Sequence, residues 1–276
     1  MLDGICVKGP KDKFVEAFIR EPGGRCYYPE KYVSPMEKSK WKDYVPGVQP
    51  LVIQGILRGC EDFIWDCLKR QHPFYYLDHA YFHATRDYKP GKWGLLYRVN
   101  YTSMNTNTIL TLRPKDHVRI QKFKPIDVAR KPRQKNGKNI LVCPPTAASA
   151  RIYKLQKGWE DWVVSKIRKH TDRPIKFRPK DAEYPLERDL ERAHATVSLN
   201  STAAIKSILH GVPSFAGDIS PAAPVSNKAF SDLDNPWFPD DASIDRWIDS
   251  LLATQFTWDE IESGIAYKTI RRLYEQ

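Results

Sequence analysis

Residues 194–218, HATVSLNSTAAIKSILHGVPSFAGD, constrain this chain more than any other stretch. The segment opens with a short apolar run rich in β-formers, Ala195-Thr196-Val197-Ser198-Leu199. Asn200, Ser201 and Thr202 follow, residue types that favour helix N-caps. Ala204, Ile205, Ile208 and Leu209 then recur at helical spacing. Gly211 suits a helix C-cap, and Pro213 stands where a helix cannot continue. Residues 212–216 read as a second buried strand. Strand, capped helix and strand make a βαβ crossover, which requires a parallel sheet.

At the strand-to-helix junction the sequence predicts free backbone N–H groups, the positive end of a helix dipole and two hydroxyls. Open α/β sheets bind ligands outside the carboxyl ends of their strands. A phosphate or diphosphate suits such a place. An ordinary capped helix in an ordinary βαβ unit fits the same residues.

The 276 residues are enough for one large or two small domains. Eight Trp, 14 Tyr and 11 Phe exclude wholesale disorder. No apolar run has membrane-spanning length, and the first residues carry no signal-peptide core, so the reading is a cytoplasmic protein with no membrane partner. Cys6, Cys26, Cys60, Cys67 and Cys143 are odd in number and lack zinc spacing, which predicts buried free thiols in a reducing compartment. The net charge of +11 is unevenly spread. Residues 113–180 hold 20 Lys and Arg against 5 Asp and Glu, so this quarter of the chain carries the whole surplus. Such a concentration points to a polyanion, double-stranded DNA first. A cleft for a nucleotide diphosphate accounts for part of it, and a solvated basic surface accounts for it equally.

Before the central segment, Leu51-Val52-Ile53 reads as a buried strand, residues 61–71 as an amphipathic helix and Phe74-Tyr75-Tyr76-Leu77 as the next strand. This second βαβ unit ends in Asp78 and His79, the candidate catalytic pair. A carboxylate there can take a proton from an acceptor hydroxyl, or simply cap a turn. His79 and His83 have i, i+4 spacing but no evident third ligand, so no metal site is predicted. Lys92, Trp93 and Arg98, interleaved with Tyr97 and Tyr101, suit nucleic-acid stacking or a hairpin packed on the core. Residues 130–139, RKPRQKNGKN, read as an exposed basic linker whose Arg130, Lys131, Arg133 and Lys135 are further nucleic-acid candidates. After it, Ile140-Leu141-Val142-Cys143 reads as a strand followed by the hydroxyl-bearing loop with Thr146 and Ser149, and then Arg151. Pro174-Ile175-Lys176-Phe177 is a strand leading to Arg178 and Lys180. Near the end, residues 243–254 and a helix opened by the capping-box pair Thr257 and Glu260 complete the pattern.

The central segment resembles the donor-binding half of GT-B glycosyltransferases, especially capsule-polysaccharide transferases with an "S/T-x-A-x-E-A-L-x-x-G-x-P" motif. Ser201, Thr202, Ala203, Ala204, Leu209, Gly211 and Pro213 fit it, while Lys206 and Ser207 replace the acidic-small pair. Arg178-Pro179 is similar to the start of that group's "R-P-H-P", with Lys180 in the histidine position. Residues 74–101 also resemble bacteriophage proteins with a "YxDHxYF … YRV" pattern, through Tyr76, Asp78, His79, Tyr81, Phe82, Tyr97, Arg98 and Val99.

The resemblance implies an α/β fold of two Rossmann-like domains of GT-B type, with C-terminal helices crossing back. Residues 1–125 would bind acceptor, 126–139 would link, 140–242 would bind the nucleotide sugar and 243–276 would be the returning helices. The implied reaction moves a sugar from a nucleotide-sugar donor, a UDP-sugar in this reading, to a hydroxyl. Thr146, Ser149, Arg151, Arg178, Lys180, Asn200, Ser201 and Thr202 would hold the donor. No metal is required, although a divalent ion is compatible. The charge and the phage-like pattern together favour 5-hydroxymethylpyrimidine in phage DNA as acceptor, within the host cytoplasm, and no protein partner is inferred. The alternatives are a cell-surface polysaccharide transferase, and a non-catalytic DNA-binding protein on a degenerate transferase scaffold.

Overall fold

The computed structural model describes residues 1–6, 12–34, 37–41, 44–82, 96–122 and 129–274. The chain divides into two compact units. Residues 1–104, 111–120 and 251–276 form the first, and residues 105–110 and 121–250 the second.

The first unit begins with β1 (Leu2–Ile5), α1 (Asp12–Arg20), β2 (Gly24–Tyr27), β3 (Leu51–Gln54), α2 (Cys60–Arg70) and β4 (Phe74–His79). β5 (Tyr97–Tyr101) and α3 (Pro114–Ile120) follow. The four strands β1 to β4 are parallel, in the order β2-β1-β3-β4. β5 joins β4 in antiparallel fashion, placing Arg98 beside Asp78. Leu51, Val52 and Ile53 are buried, as a strand covered on both faces requires. The four residues of β2, GRCY, show no apolar run. β2 forms as an edge strand and leaves Gly24 and Arg25 exposed.

The second unit contains β6 (Asn139–Cys143), α4 (Ala147–Ile152), α5 (Trp159–Ile167), β7 (Ile175–Phe177), α6 (Leu186–Leu190), β8 (Ala193–Ser198), α7 (Ala203–Leu209) and β9 (Ser214–Ala216). All four strands are parallel, in the order β7-β6-β8-β9. Each unit therefore builds its parallel strands in one sequence: second, first, third, fourth. Val163 and Ile167 of α5 pack on one face of the β6–β9 sheet with Ile140, Val142, Ala195, Val197 and Phe215. Leu141, Cys143, Leu190, Ala193 and Val212 form the core on the other face, with Leu186 and Ala203 against them. Helices on both faces of a parallel sheet are the Rossmann-like arrangement.

The basic stretch expected as an exposed linker is strapped along this unit. Lys131 N–H donates to the Leu209 carbonyl at 2.8 Å, and Gln134 N–H to that of Gly211 at 2.8 Å. Gln134 Nε2 reaches the carbonyls of Leu190 and Ala193 at 3.1 and 2.7 Å. Gly211 has φ +74°, and a Cβ there would lie 2.0 Å from the Pro132 carbonyl oxygen. Close backbone approach thus requires glycine at this turn.

α8 (Asp241–Ala253) leads back to the first unit. β10 (Gln255–Phe256) pairs with β5, and α9 (Trp258–Glu262) and α10 (Ile265–Tyr274) complete the chain. The capping box of Thr257 and Glu260 is present, but the helix it opens is short. Gly264, at φ +74°, separates it from α10. Arg119 of α3 fixes this return by donating to the carbonyls of Ala253 at 2.6 Å and Gln255 at 2.8 Å, while pairing with Glu260 at 3.3 Å. Arg272 of α10 pairs with Asp116 of α3. Among the described residues, no helix is long and apolar enough to cross a membrane.

Candidate functional site

In the second unit the chain leaves β6 toward β7, then crosses back past β6 to form β8. The strand order reverses between β6 and β8, and ligands of open α/β sheets bind at the carboxyl side of such a switch point. Cys143 and Ser198 stand side by side in register at those strand ends. Two short loops begin there. The β6 loop carries Thr146 and leads to Ser149 in the first turn of α4, and the β8 loop carries Asn200, Ser201 and Thr202.

Thr146 is the N-cap of α4, its Oγ1 accepting from Ser149 N–H at 3.2 Å and lying 3.0 Å from Ser149 Oγ. This explains a helix over residues read as loop: Pro-Pro-Thr ends the strand and the cap starts a new turn. Asn200 Nδ2 donates to the Tyr153 hydroxyl at 2.6 Å. The β8 loop is thereby joined to the C-terminal end of α4. Sequence reading missed Tyr153, because nothing local to residue 153 signals a partner 47 positions away. Ser198 Oγ, on a residue 5% exposed at the end of β8, has no hydrogen-bond partner. A buried hydroxyl of this kind costs free energy until an acceptor or donor reaches it.

The free N–H groups expected at the start of α7 are occupied. Ala203 N–H bonds Ser201 Oγ at 3.1 Å, Ala204 N–H bonds the Ser201 carbonyl at 3.1 Å, and Ile205 N–H bonds the Thr202 carbonyl at 3.1 Å. The helix opens with a tight turn, with Thr202 already in helical φ and ψ, so its donors close on the chain itself. Side chains, rather than this helix end, supply the polar groups at the switch point.

Beside α4, a cleft of about 570 Å³ is bounded by Pro145, Arg151, Lys154, Lys157, Trp159 and the acidic first turn of α5. Its three cations share the lining with Glu160 and Asp161. Arg151 belongs to this cleft.

Arg178 follows β7, and its guanidinium is bound within the protein. It donates to Asp189 Oδ2 at 2.9 Å and to the Tyr184 carbonyl at 2.6 Å. Asp189, with a side chain 1% exposed, also pairs with Lys176 at 2.5 Å. Burial works against the Asp189 carboxylate, but the hydrogen bonds from Lys176 and Arg178 outweigh it and hold its pKa below the usual range. Arg178 thus arrives at the strand end with its charge already matched. Lys180, two residues on, is exposed.

In the first unit, Asp78 lies at the carboxyl end of β4. Arg98 Nη2 and the Tyr76 hydroxyl both donate to its Oδ2 at 2.9 Å, and His79 N–H donates to Oδ1 at 2.8 Å. Burial raises the cost of the charge, yet the Arg98 guanidinium, the His79 amide and Tyr76 together lower its pKa. Arg98, expected as a nucleic-acid contact, has a side chain only 13% exposed and lies over the Tyr76 and Tyr81 rings. His79 is exposed.

The other nucleic-acid candidates lie elsewhere. Lys92 and Trp93 fall outside the described residues. Arg130, Lys131, Arg133 and Lys135 belong to the strap, which passes the amino ends of the second unit's strands. That edge is opposite the switch-point loops. Arg130 pairs with Asp241 and Asp245 at 3.5 and 3.4 Å, and Arg133 donates to the Pro236 carbonyl at 3.0 Å. Lys131 and Lys135 are exposed. Among the described residues no group of three or more His, Cys, Asp or Glu is placed to hold a metal ion.

No protein-family model matches the sequence. No curated protein matches it either. Solved structures share its fold, two of them from Thermosulfurimonas dismutans. Thermosulfurimonas dismutans KpsC, beta Kdo 2,7 transferase, superposes with TM-score 0.50 at 10% identity, over 98% of this chain and 99% of that one. Thermosulfurimonas dismutans KpsC, beta Kdo 2,4 transferase, superposes with TM-score 0.51 at 9% identity, over 98% of each. The likeness extends along the whole chain and concerns the mixed α/β fold with its parallel sheets.

Proposed function

We propose that this chain is a glycosyltransferase that moves a sugar from a nucleotide-activated donor to a hydroxyl of a glycan acceptor. The observation that carries the reading is the switch point of the second unit. Hydroxyl-bearing residues follow both strands there, the Asn200–Tyr153 hydrogen bond ties the β8 loop to the end of α4, and the Ser198 hydroxyl is unpartnered. Such a rim suits the phosphate oxygens of a nucleotide sugar. The fold shared with two Kdo transferases supports sugar transfer and is compatible with a glycan acceptor.

In this reading Thr146, Ser149, Asn200, Ser201 and Thr202 hold the donor. The adjacent cleft, with Arg151, Lys154 and Lys157, provides positive charge near the leaving nucleotide. Arg178 acts by ordering the loop after β7 through Asp189 and Tyr184, rather than by binding phosphate itself. As the acceptor oxygen bonds to the anomeric carbon, the bond to the donor phosphate breaks and the acceptor proton must leave. Asp78 is the proposed proton acceptor, with His79 beside it. No metal is invoked.

DNA is the second reading, favoured by the surplus of charge in residues 113–180. The engaged state of Arg98, Arg130 and Arg133 counts against it. One screen separates the two. The purified protein is incubated with a panel of nucleotide sugars, then with oligosaccharide acceptors or with duplex DNA containing 5-hydroxymethylpyrimidines, and products are read by mass spectrometry. A sugar mass added to an oligosaccharide supports the first reading. Addition only to the modified base moves the acceptor to DNA, and no consumption of any donor removes glycosyl transfer.

A further inference from the structure

α5 buries Val163 and Ile167 against the sheet and turns its other side to solvent. On that side Trp162 is 51% exposed, although a residue of its size and apolarity ordinarily finds cover in a folded chain. At 100° per residue, Ser165, Lys166 and Lys169 fall within about 60° of Trp162 around the helix axis. Lys169 stands in the turn that continues the helix. Lys166 Nζ lies 5.8 Å from the centre of the Trp162 ring, and Ser165 Oγ turns back to the Trp162 carbonyl at 2.8 Å. The outward face therefore carries one large amphipathic ring beside two lysines.

We propose that this face docks the protein on an anionic lipid surface, with the Trp162 indole at headgroup level and Lys166 and Lys169 against lipid phosphates. Trp favours the membrane–water interface because its body is apolar and its N–H is polar. Lysine stems reach past an aromatic ring while keeping the ammonium among phosphates. Lysine charge together with one ring at headgroup level holds a surface at the interface without spanning it. Single-stranded nucleic acid would instead require a basic groove with stacking platforms. Along α5 Trp162 is the one largely exposed ring, with no second stacking platform beside it. Absence of a spanning helix does not conflict with this placement, since surface docking requires none.

The proposal stands apart from glycosyl transfer, because lipid binding is read without donor or acceptor. The full chain is sedimented with vesicles of phosphatidylcholine alone and of phosphatidylcholine with 30% phosphatidylglycerol (roughly the charge density at which polybasic segments bind). Sedimentation with the anionic vesicles only, weakening as salt rises, is expected. Lys166→Glu with Lys169→Glu should reduce the bound fraction about tenfold, each position contributing through surface charge. Trp162→Ala should also weaken binding, while Trp162→Phe retains most of it. Unchanged thermal unfolding of the variants separates docking from misfolding. Failure to sediment with anionic vesicles at low salt overturns the proposal. So does equal binding to neutral vesicles, or binding indifferent to all three positions. Duplex DNA serves as a parallel probe: if the lysine variant loses DNA binding while the native chain ignores vesicles, the surface belongs to nucleic acid and the proposal is overturned.

Discussion

The side-chain amide of Asn200 donates to the hydroxyl of Tyr153 at 2.6 Å, bridging the segments that follow β8 and β6. This bond crosses the switch point of the second unit's sheet. It ties a residue of the central βαβ segment to one that local sequence leaves unmarked. Removing the phenol by Tyr153→Phe should cost about 1 kcal/mol of stability. If the bridged loops hold the donor, the same change should raise the donor KM several-fold with a smaller effect on kcat. Donor titration at saturating acceptor checks this, and an unchanged KM removes the bridge from the donor site.

Asp189 stands between Lys176 and Arg178 with its side chain 1% exposed. Asp189→Ala leaves the Arg178 guanidinium buried without its counter-charge. A loss of about 3–5 kcal/mol is expected in urea unfolding, the range for breaking a buried pair from one side. The acid dependence follows from the lowered carboxyl pKa. A depressed folded-state pKa adds stability above the unfolded value of about 4, and that contribution is lost as pH falls through the folded value. The slope of stability between about pH 5 and 2 should therefore be shallower in the alanine variant than in the native chain.

Asp78 is proposed to accept a proton while held ionised by Arg98, the His79 amide and Tyr76. Asp78→Asn should lower kcat by at least about 100-fold, the lower range for losing a general base. A base with a depressed pKa stays in its active, deprotonated form to lower pH. The acid limb of kcat/KM should thus fall below the ordinary carboxylate range, and Arg98→Met should move it upward. Full turnover by the asparagine variant would take the role away from Asp78.

Gly211 combines a positive φ with the nearest approach of the strap, the Pro132 carbonyl. Gly211→Ala should destabilise by about 3 kcal/mol or more, since left-handed backbone costs about 1–2 kcal/mol for a residue with a Cβ and the overlap adds to it. Thermal unfolding measures the loss, and hydrogen exchange at Lys131 and Gln134 localises it. Exchange there should accelerate more than at the core amides of β6.

The central segment was legible because each signal in it is local. The short apolar run rich in β-formers placed β8, the spacing of Ala204, Ile205, Ile208 and Leu209 placed α7, and Gly211 with Pro213 placed its end. Backbone propensity and burial periodicity act over a few residues, so they can be read from a few residues. The second βαβ unit and the Thr257–Glu260 capping box were legible for the same reason.

Partners distant in sequence were not. Arg178 and Arg98 looked like free cations, and each proved to be matched by a carboxylate 11 or 20 residues away. The basic stretch from Arg130 looked like a linker because it lacks apolar residues, but backbone hydrogen bonds to Leu209 and Gly211 hold it on the second unit. The sequence by itself determined that this chain forms βαβ units and parallel sheets, since hydrophobic period and turn chemistry are properties of short stretches. Only the tertiary structure decided the strand order that puts β6 beside β8, and which charges remain available there, because both depend on segments brought together from distant parts of the chain.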